Sequence, residues 1–138
     1  MARIMIVVWV IFCAIVVAAG YVRLAPSEPA AWNAEIEGEG DEDFRNGVRR
    51  EIPADAATFE ALERIILATP RTTRLAGSPA EGRATYIPRS ARWGLPDCST
   101  VELRGKRIVI YSRARFGRSD LGGNRKRVTG WLDALQAG

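Results

Sequence analysis

The chain has 138 residues, no histidine, two cysteines and a net charge of +4. That length suits one domain. The missing histidine excludes Cys/His zinc sites and nucleophile–histidine triads, and Cys13 and Cys98 fall in different segments, so no intramolecular disulfide is expected.

Charge is unevenly spread: residues 1–34 carry +1, residues 35–44 carry −6 and residues 45–138 carry +9. Only 2 of the 20 basic residues are lysine. Arginine binds carboxylates and phosphates through a planar fork that lysine lacks, so the basic part has the chemistry for anionic partners.

Ile4 to Val22 is uncharged for 19 residues. As a helix it would cover about 28 Å, close to the hydrocarbon thickness of a bilayer. The segment is expected to be a transmembrane helix, occupying residues 1–23 with its flanks. A cleaved signal peptide is the rival, with Arg3 as its basic start and Val17-Ala18-Ala19 as a small-residue site. The anchor is favoured because the apolar run continues past that site. Arg3 and Arg23 balance across the span, and the terminal amine tips the count towards an inside N-terminus. The soluble part is therefore expected on the extracytoplasmic side of a membrane crossed once.

Residues 24–47 contain Pro26, Pro29, Gly38, Gly40 and the acidic run, and are expected to form an extended linker. The run is expected to be solvated rather than folded back on the basic part. The domain is expected over residues 48–138. Asp55 or Thr58 would cap a helix over about residues 56–68, with Phe59, Leu62, Ile65 and Ile66 on one face. Pro70 ends it. Alternating runs at Thr72–Ala76, Arg83–Ile87, Ser99–Arg104 and Lys106–Arg115 predict strands, with tight turns near Gly82 and Gly105. Ser119 or Asp120 would cap a last helix over about residues 122–136, its apolar face being Val128, Trp131, Leu132 and Leu135.

This order predicts an α+β fold. An antiparallel four- or five-stranded meander sheet would carry two helices packed on one face, preceded by the N-terminal transmembrane helix. Alternation turns Leu75, Ala84, Tyr86, Val101, Leu103, Ile108, Ile110 and Ala114 towards the helices. The other face would carry Arg74, Arg83, Arg89, Arg104, Arg107, Arg113 and Arg115, with Glu102 its only acid.

The run Arg115-Phe116-Gly117-Arg118-Ser119-Asp120-Leu121-Gly122-Gly123-Asn124-Arg125 resembles the C-terminal signature of the family called domain of unknown function fourteen-ninety-nine. In that signature a strand end and Arg-x-Gly lead into Ser-Asp-x-Gly-x-Asn-Arg at the start of the last helix. Trp93-Gly94-Leu95-Pro96-Asp97 also looks like the family's lead into a central strand. The resemblance covers about residues 48–136. Ala114, Cys98 and Gly123 depart from its usual serine, acidic residue and small aliphatic. The family name implies no activity.

In physical terms Arg115, Ser119, Asp120, Asn124 and Arg125, with Asp97, are candidates for an anion-binding site. A positive helix start and several arginines would suit a phosphate or carboxylate. The competing reading is a structural corner in which the aspartates hold the arginines, and it is favoured because Asp120 would fill the anion's place. No catalytic residue, metal ligand or cofactor is assigned. The basic sheet face suits an anionic lipid headgroup or a protein partner, while nucleic acid is disfavoured by tethering and by the single aromatic, Tyr111. The function expected is a non-catalytic binding or scaffold module of the bacterial cell envelope. The alternative is a metal-free hydrolase or transferase using Asp97, Asp120 and Arg115 on an anionic substrate. The oligomeric state is left open.

Overall fold

The computed structural model describes all 138 residues. In chain order they form helix α1 (Ala2–Leu24), a short helix α2 (Pro29–Trp32), strands β1 (Glu42–Phe44) and β2 (Gly47–Pro53), and helix α3 (Ala56–Ala68). Strands β3 (Thr72–Ser78), β4 (Arg83–Pro88), β5 (Asp97–Arg104) and β6 (Arg107–Ala114) follow, then helix α4 (Gly123–Ala137). The protein is an α+β structure behind one N-terminal apolar helix. No residue of α1 is buried, and its length and composition suit a membrane span.

Asp55 Oδ1 accepts from the Thr58 amide at 2.8 Å, capping α3 as expected. Phe59, Leu62 and Ile66 are fully buried on one face of α3. Val128 and Trp131 do the same on α4. At 2.8 Å, Trp131 Nε1 donates to Thr69 Oγ1, which ties α4 to the end of α3. Both helices cover one face of the sheet, where Val48, Ala84, Tyr86, Val101, Ile108 and Ile110 join them in a single core.

The sheet has six antiparallel strands in the order β1-β2-β6-β5-β4-β3. The difference from four or five lies before α3. Strand β2 pairs with β6 from Gly47↔Arg113 to Pro53↔Arg107, and β1 pairs with β2. Arg49, Arg50 and Glu51 mask the period-2 signal of Val48 and Ile52. A bulge between Arg74 and Ala76 also reverses part of β3. It puts Arg74 on the helix side, where it pairs with Glu63 of α3. The alternation expected from sequence had placed Arg74 on the other face.

The acidic run, residues 35–44, expected to be solvated, is held by the fold: residues 33–41 lie against the sheet face opposite the helices, and residues 42–44 form edge strand β1. The Trp32 carbonyl accepts from Thr100 Oγ1, Thr85 Oγ1 and Arg113 Nη2 at 3.1, 3.3 and 3.1 Å. Ile36 is 3% exposed, and its amide donates to Glu102 Oε2. Arg49 donates to the carbonyls of Glu37, Glu39 and Gly40, and Arg104 to those of Ile36 and Gly38. Arginines on this face therefore neutralise backbone dipoles and a few carboxylates. Glu35, Glu37 and Glu39 keep their side chains exposed.

Candidate functional site

The corner between β6 and α4 is built by backbone that only a few residue types adopt readily. Gly117 and Gly122 have φ of +91° and +77°, and Leu121 between them has +54°. Left-handed backbone is routine for glycine and uncommon for leucine. This geometry folds the chain back so that Asp120 faces the start of α4. Its Oδ1 accepts from the Gly122 amide and its Oδ2 from the Asn124 amide, both at 3.0 Å. The N-cap position itself is Gly122, not Ser119 or Asp120 as expected, and Asp120 satisfies donors at the helix start from two residues upstream. Ser119 Oγ accepts from the Leu121 amide at 3.3 Å.

Asn124 is fully buried in the first turn of α4. Its Oδ1 accepts from Ser112 Oγ at 2.6 Å and from Arg127 Nη1 at 2.9 Å. Ser112 in turn bonds Ser99 Oγ at 2.6 Å, which carries the network across to β5. Arg127 Nη1 also donates to Asp97 Oδ2 at 3.0 Å. Asn124 Nδ2 has no hydrogen-bond partner.

Asp97, Ser119, Asp120 and Arg127 line one shallow cleft of about 280 Å³, together with Ser90, Leu95, Phe116 and Leu121. The two carboxyls are displaced in opposite senses. Burial pushes Asp97 above the ordinary carboxylate range, and Arg127 offsets this only in part. Burial also raises Asp120, but the Asn124 and Gly122 amides outweigh it and hold Asp120 below that range.

The sequence candidates divide accordingly. Asp97, Ser119 and Asp120 meet at the cleft, and Asn124 stands behind it. Arg115 and Arg125 do not join them. Arg115 donates to the Ala25 and Pro26 carbonyls and to Ser27 Oγ at 2.7–2.9 Å. Arg125 is exposed and pairs with Asp43 at 3.3 Å. Arg127 supplies the cation, and sequence reasoning passed over it. The available signal was its position three residues after Asn124, on the same face of the helix. Cys98 is buried, and burial pushes its thiol up to about 11, so its role is packing.

The walls of the cleft are tied to the end of α1. Arg89 Nη1 donates to the Arg23 carbonyl at 2.7 Å and to the Gly94 carbonyl at 2.9 Å. Arg115, one residue past the cleft-lining Ala114, holds residues 25–27. A second cavity lies under the leader, between Phe44 and Tyr111. Its arginines, Arg49 and Arg113, are already bonded to the leader. No group of three Asp, Glu or Cys side chains is close enough to hold a metal ion.

A family model described as protein of unknown function (DUF1499) matches residues 22–135. No curated protein matches the chain.

Proposed function

We propose that this chain, which belongs to the DUF1499 family, is a non-catalytic binding module of the bacterial cell envelope, held at the inner membrane by α1. In this reading residues 1–23 are the retained anchor and the soluble part stands on the extracytoplasmic side. The ligand is a polar headgroup or headgroup-like small molecule taken in the Asp97–Asp120–Arg127 cleft. The observation that carries the reading is the set of hydrogen bonds to residues 23–27 from Arg89 and Arg115, the chain neighbours of cleft-lining Ser90 and Ala114. They keep the cleft next to the end of the apolar helix, where headgroups would be within reach.

The donor set suits a ligand that carries both signs. Asp97 and Ser119 can take ammonium or hydroxyl donors, and exposed Arg118 beside the cleft is a cation for a phosphate. Asp120 is spent on the helix start, and Arg115 and Arg125 are spent on the chain itself. This favours a zwitterionic or polyol headgroup over a bare anion.

The test is a thermal-shift titration of the full chain in phosphatidylcholine nanodiscs with phosphoethanolamine, glycerol 3-phosphate and inorganic phosphate. At about 100 times the dissociation constant a ligand adds roughly 2.7 kcal/mol, a shift of several degrees. A selective shift that is lost in Asp97→Asn and weakened in Arg118→Ala supports the reading. Equal shifts from all three compounds, or none, would count against it.

A second reading rests on the opposite displacement of the two carboxyls, which is how an acid and a base are set in one site. Asp97 would be the proton-donating partner of a metal-free hydrolase or transferase, with Asp120 and Arg127 at the same cleft. Hydrolysis of a phosphodiester analogue that vanishes in Asp97→Asn would favour it.

A further inference from the structure

We infer that the loop of residues 89–96 and the tip of the 116–122 corner insert into the interfacial layer of the same bilayer that α1 spans, with Trp93 as the main inserting side chain. The inference rests on α1 being the retained anchor, and it is independent of what the cleft binds.

Depth is set by α1 itself. Arg3 and Arg23 bracket the apolar run, and twenty residues of helix rise about 30 Å, the thickness of the hydrocarbon layer. Arg23 therefore emerges at headgroup level. The 89–96 loop touches it there. A Cβ placed on Gly94 would lie 3.1 Å from Arg23 Nε, and Arg89 clamps the Gly94 and Arg23 carbonyls together. Trp93 is the neighbour of Gly94, so it stands at the same depth as Arg23.

Exposure and composition agree with that placement. Trp93 is 65% exposed, Leu95 40% and Leu121 96%. They are the only large hydrophobic side chains after α1 that are this exposed, apart from Leu67 at 39% on α3. Leu121 is moreover held in left-handed backbone that leucine rarely adopts. Strain that presents an apolar side chain to water is compensated if the side chain leaves water. Tryptophan partitions to the membrane–water interface, where its ring is buried and its N–H stays hydrated. Arg92 and Arg118, on the same two segments, are exposed, and the one acidic side chain within them, Asp120, is held by the Gly122 and Asn124 amides. Arg92, next to Trp93 and exposed, is a cation that suits the phosphates of an anionic leaflet.

The test uses the full chain labelled with 5-fluorotryptophan in nanodiscs, read by fluorine NMR with a nitroxide carried on the lipid near the headgroup. Substitution to Phe assigns each of the four tryptophan signals. Trp9, inside α1, is the internal control for insertion, and buried Trp131 is the control for the far side of the domain. The expected result is broadening of the Trp93 signal by several-fold over Trp131, growing when anionic lipid is added. Arg92→Ala should remove the growth and leave the basal broadening. Broadening of Trp9 with Trp93 as sharp as Trp131 would overturn the inference. Sharp signals from both Trp9 and Trp93 would overturn it together with the anchor. A headgroup-selective thermal shift with a sharp Trp93 would leave the cleft's ligand standing and remove only the insertion.

Discussion

The guanidinium of Arg113 lies over the Trp32 ring, 5.2 Å from its centroid, while its Nη2 donates to the Trp32 carbonyl at 3.1 Å. One side chain of β6 thus holds both the ring and the backbone of a residue 81 positions earlier. Stacking on tryptophan adds about 0.5–2 kcal/mol and a charged hydrogen bond about 1.5–3 kcal/mol. Arg113→Met is expected to loosen the leader at a cost of about 1–3 kcal/mol. Amide hydrogen exchange over residues 33–41 reads it directly. Protection there should fall while protection in β5 and β6 stays.

How much of this was legible beforehand depended on the partner each residue finds. α3 and α4 were readable because Phe59, Leu62 and Ile66, and Val128 and Trp131, repeat at helical spacing. Strands β3 to β6 were readable from alternation. Strand β2 was hidden by its own charges, which face the leader or the sheet edge. The docking of residues 33–41 was hidden more deeply. Arg49, Arg104 and Arg113 bind carbonyl oxygens there, and a carbonyl has no letter in a sequence. At the cleft, Asp97 and Asp120 were legible as aspartates next to turns, but Arg115 was drawn away by residues 25–27 and Arg127 took the place expected of it.

Asp120 accepts from two amides at the start of α4, so its loss should destabilise the helix end. Asp120→Ala is expected to cost about 1 kcal/mol, with a fall in Tm of roughly 4–8 °C for a domain near 100 residues. Asp120→Asn should cost less, because asparagine also caps. Thermal unfolding followed by circular dichroism separates the two.

Asn124 joins Ser112 and Arg127 in a site with no exposure to water. Asn124→Leu removes the acceptor for both donors, and a buried unsatisfied group costs about 1–3 kcal/mol. Ser112→Ala in the same chain should restore part of the loss. Urea denaturation of the single and double variants measures that coupling.

Two carboxyls should give pH dependence of opposite sign. Burial raises Asp97 in the folded state, so its contribution to stability is full below the ordinary carboxylate range and is lost as pH rises through the folded value. For Glu102, burial is outweighed by Arg104, Arg83 and the Ile36 amide, so its pKa is lowered. Its contribution is present above the ordinary range and is lost as pH falls through the folded value. Denaturation curves between about pH 3 and 7 should therefore diverge for Asp97→Asn and Glu102→Gln. Relative to the unmodified chain, the first gains with rising pH and the second loses.

Docking of the domain to the end of α1 is what would hold the cleft at a membrane surface. The most direct measurement is a distance distribution by pulsed electron paramagnetic resonance on the full chain in nanodiscs. Spin labels would sit at Tyr21→Cys, near the end of α1, and Lys126→Cys, on α4; both positions are exposed. Cys13→Ala removes the exposed native thiol, and Cys98 is buried and withheld from the label. A single narrow distribution that broadens in Arg115→Ala combined with Arg89→Ala is the predicted result. A broad distribution in the unmodified chain, unchanged by those substitutions, would mean a domain on a free tether and would contradict the account.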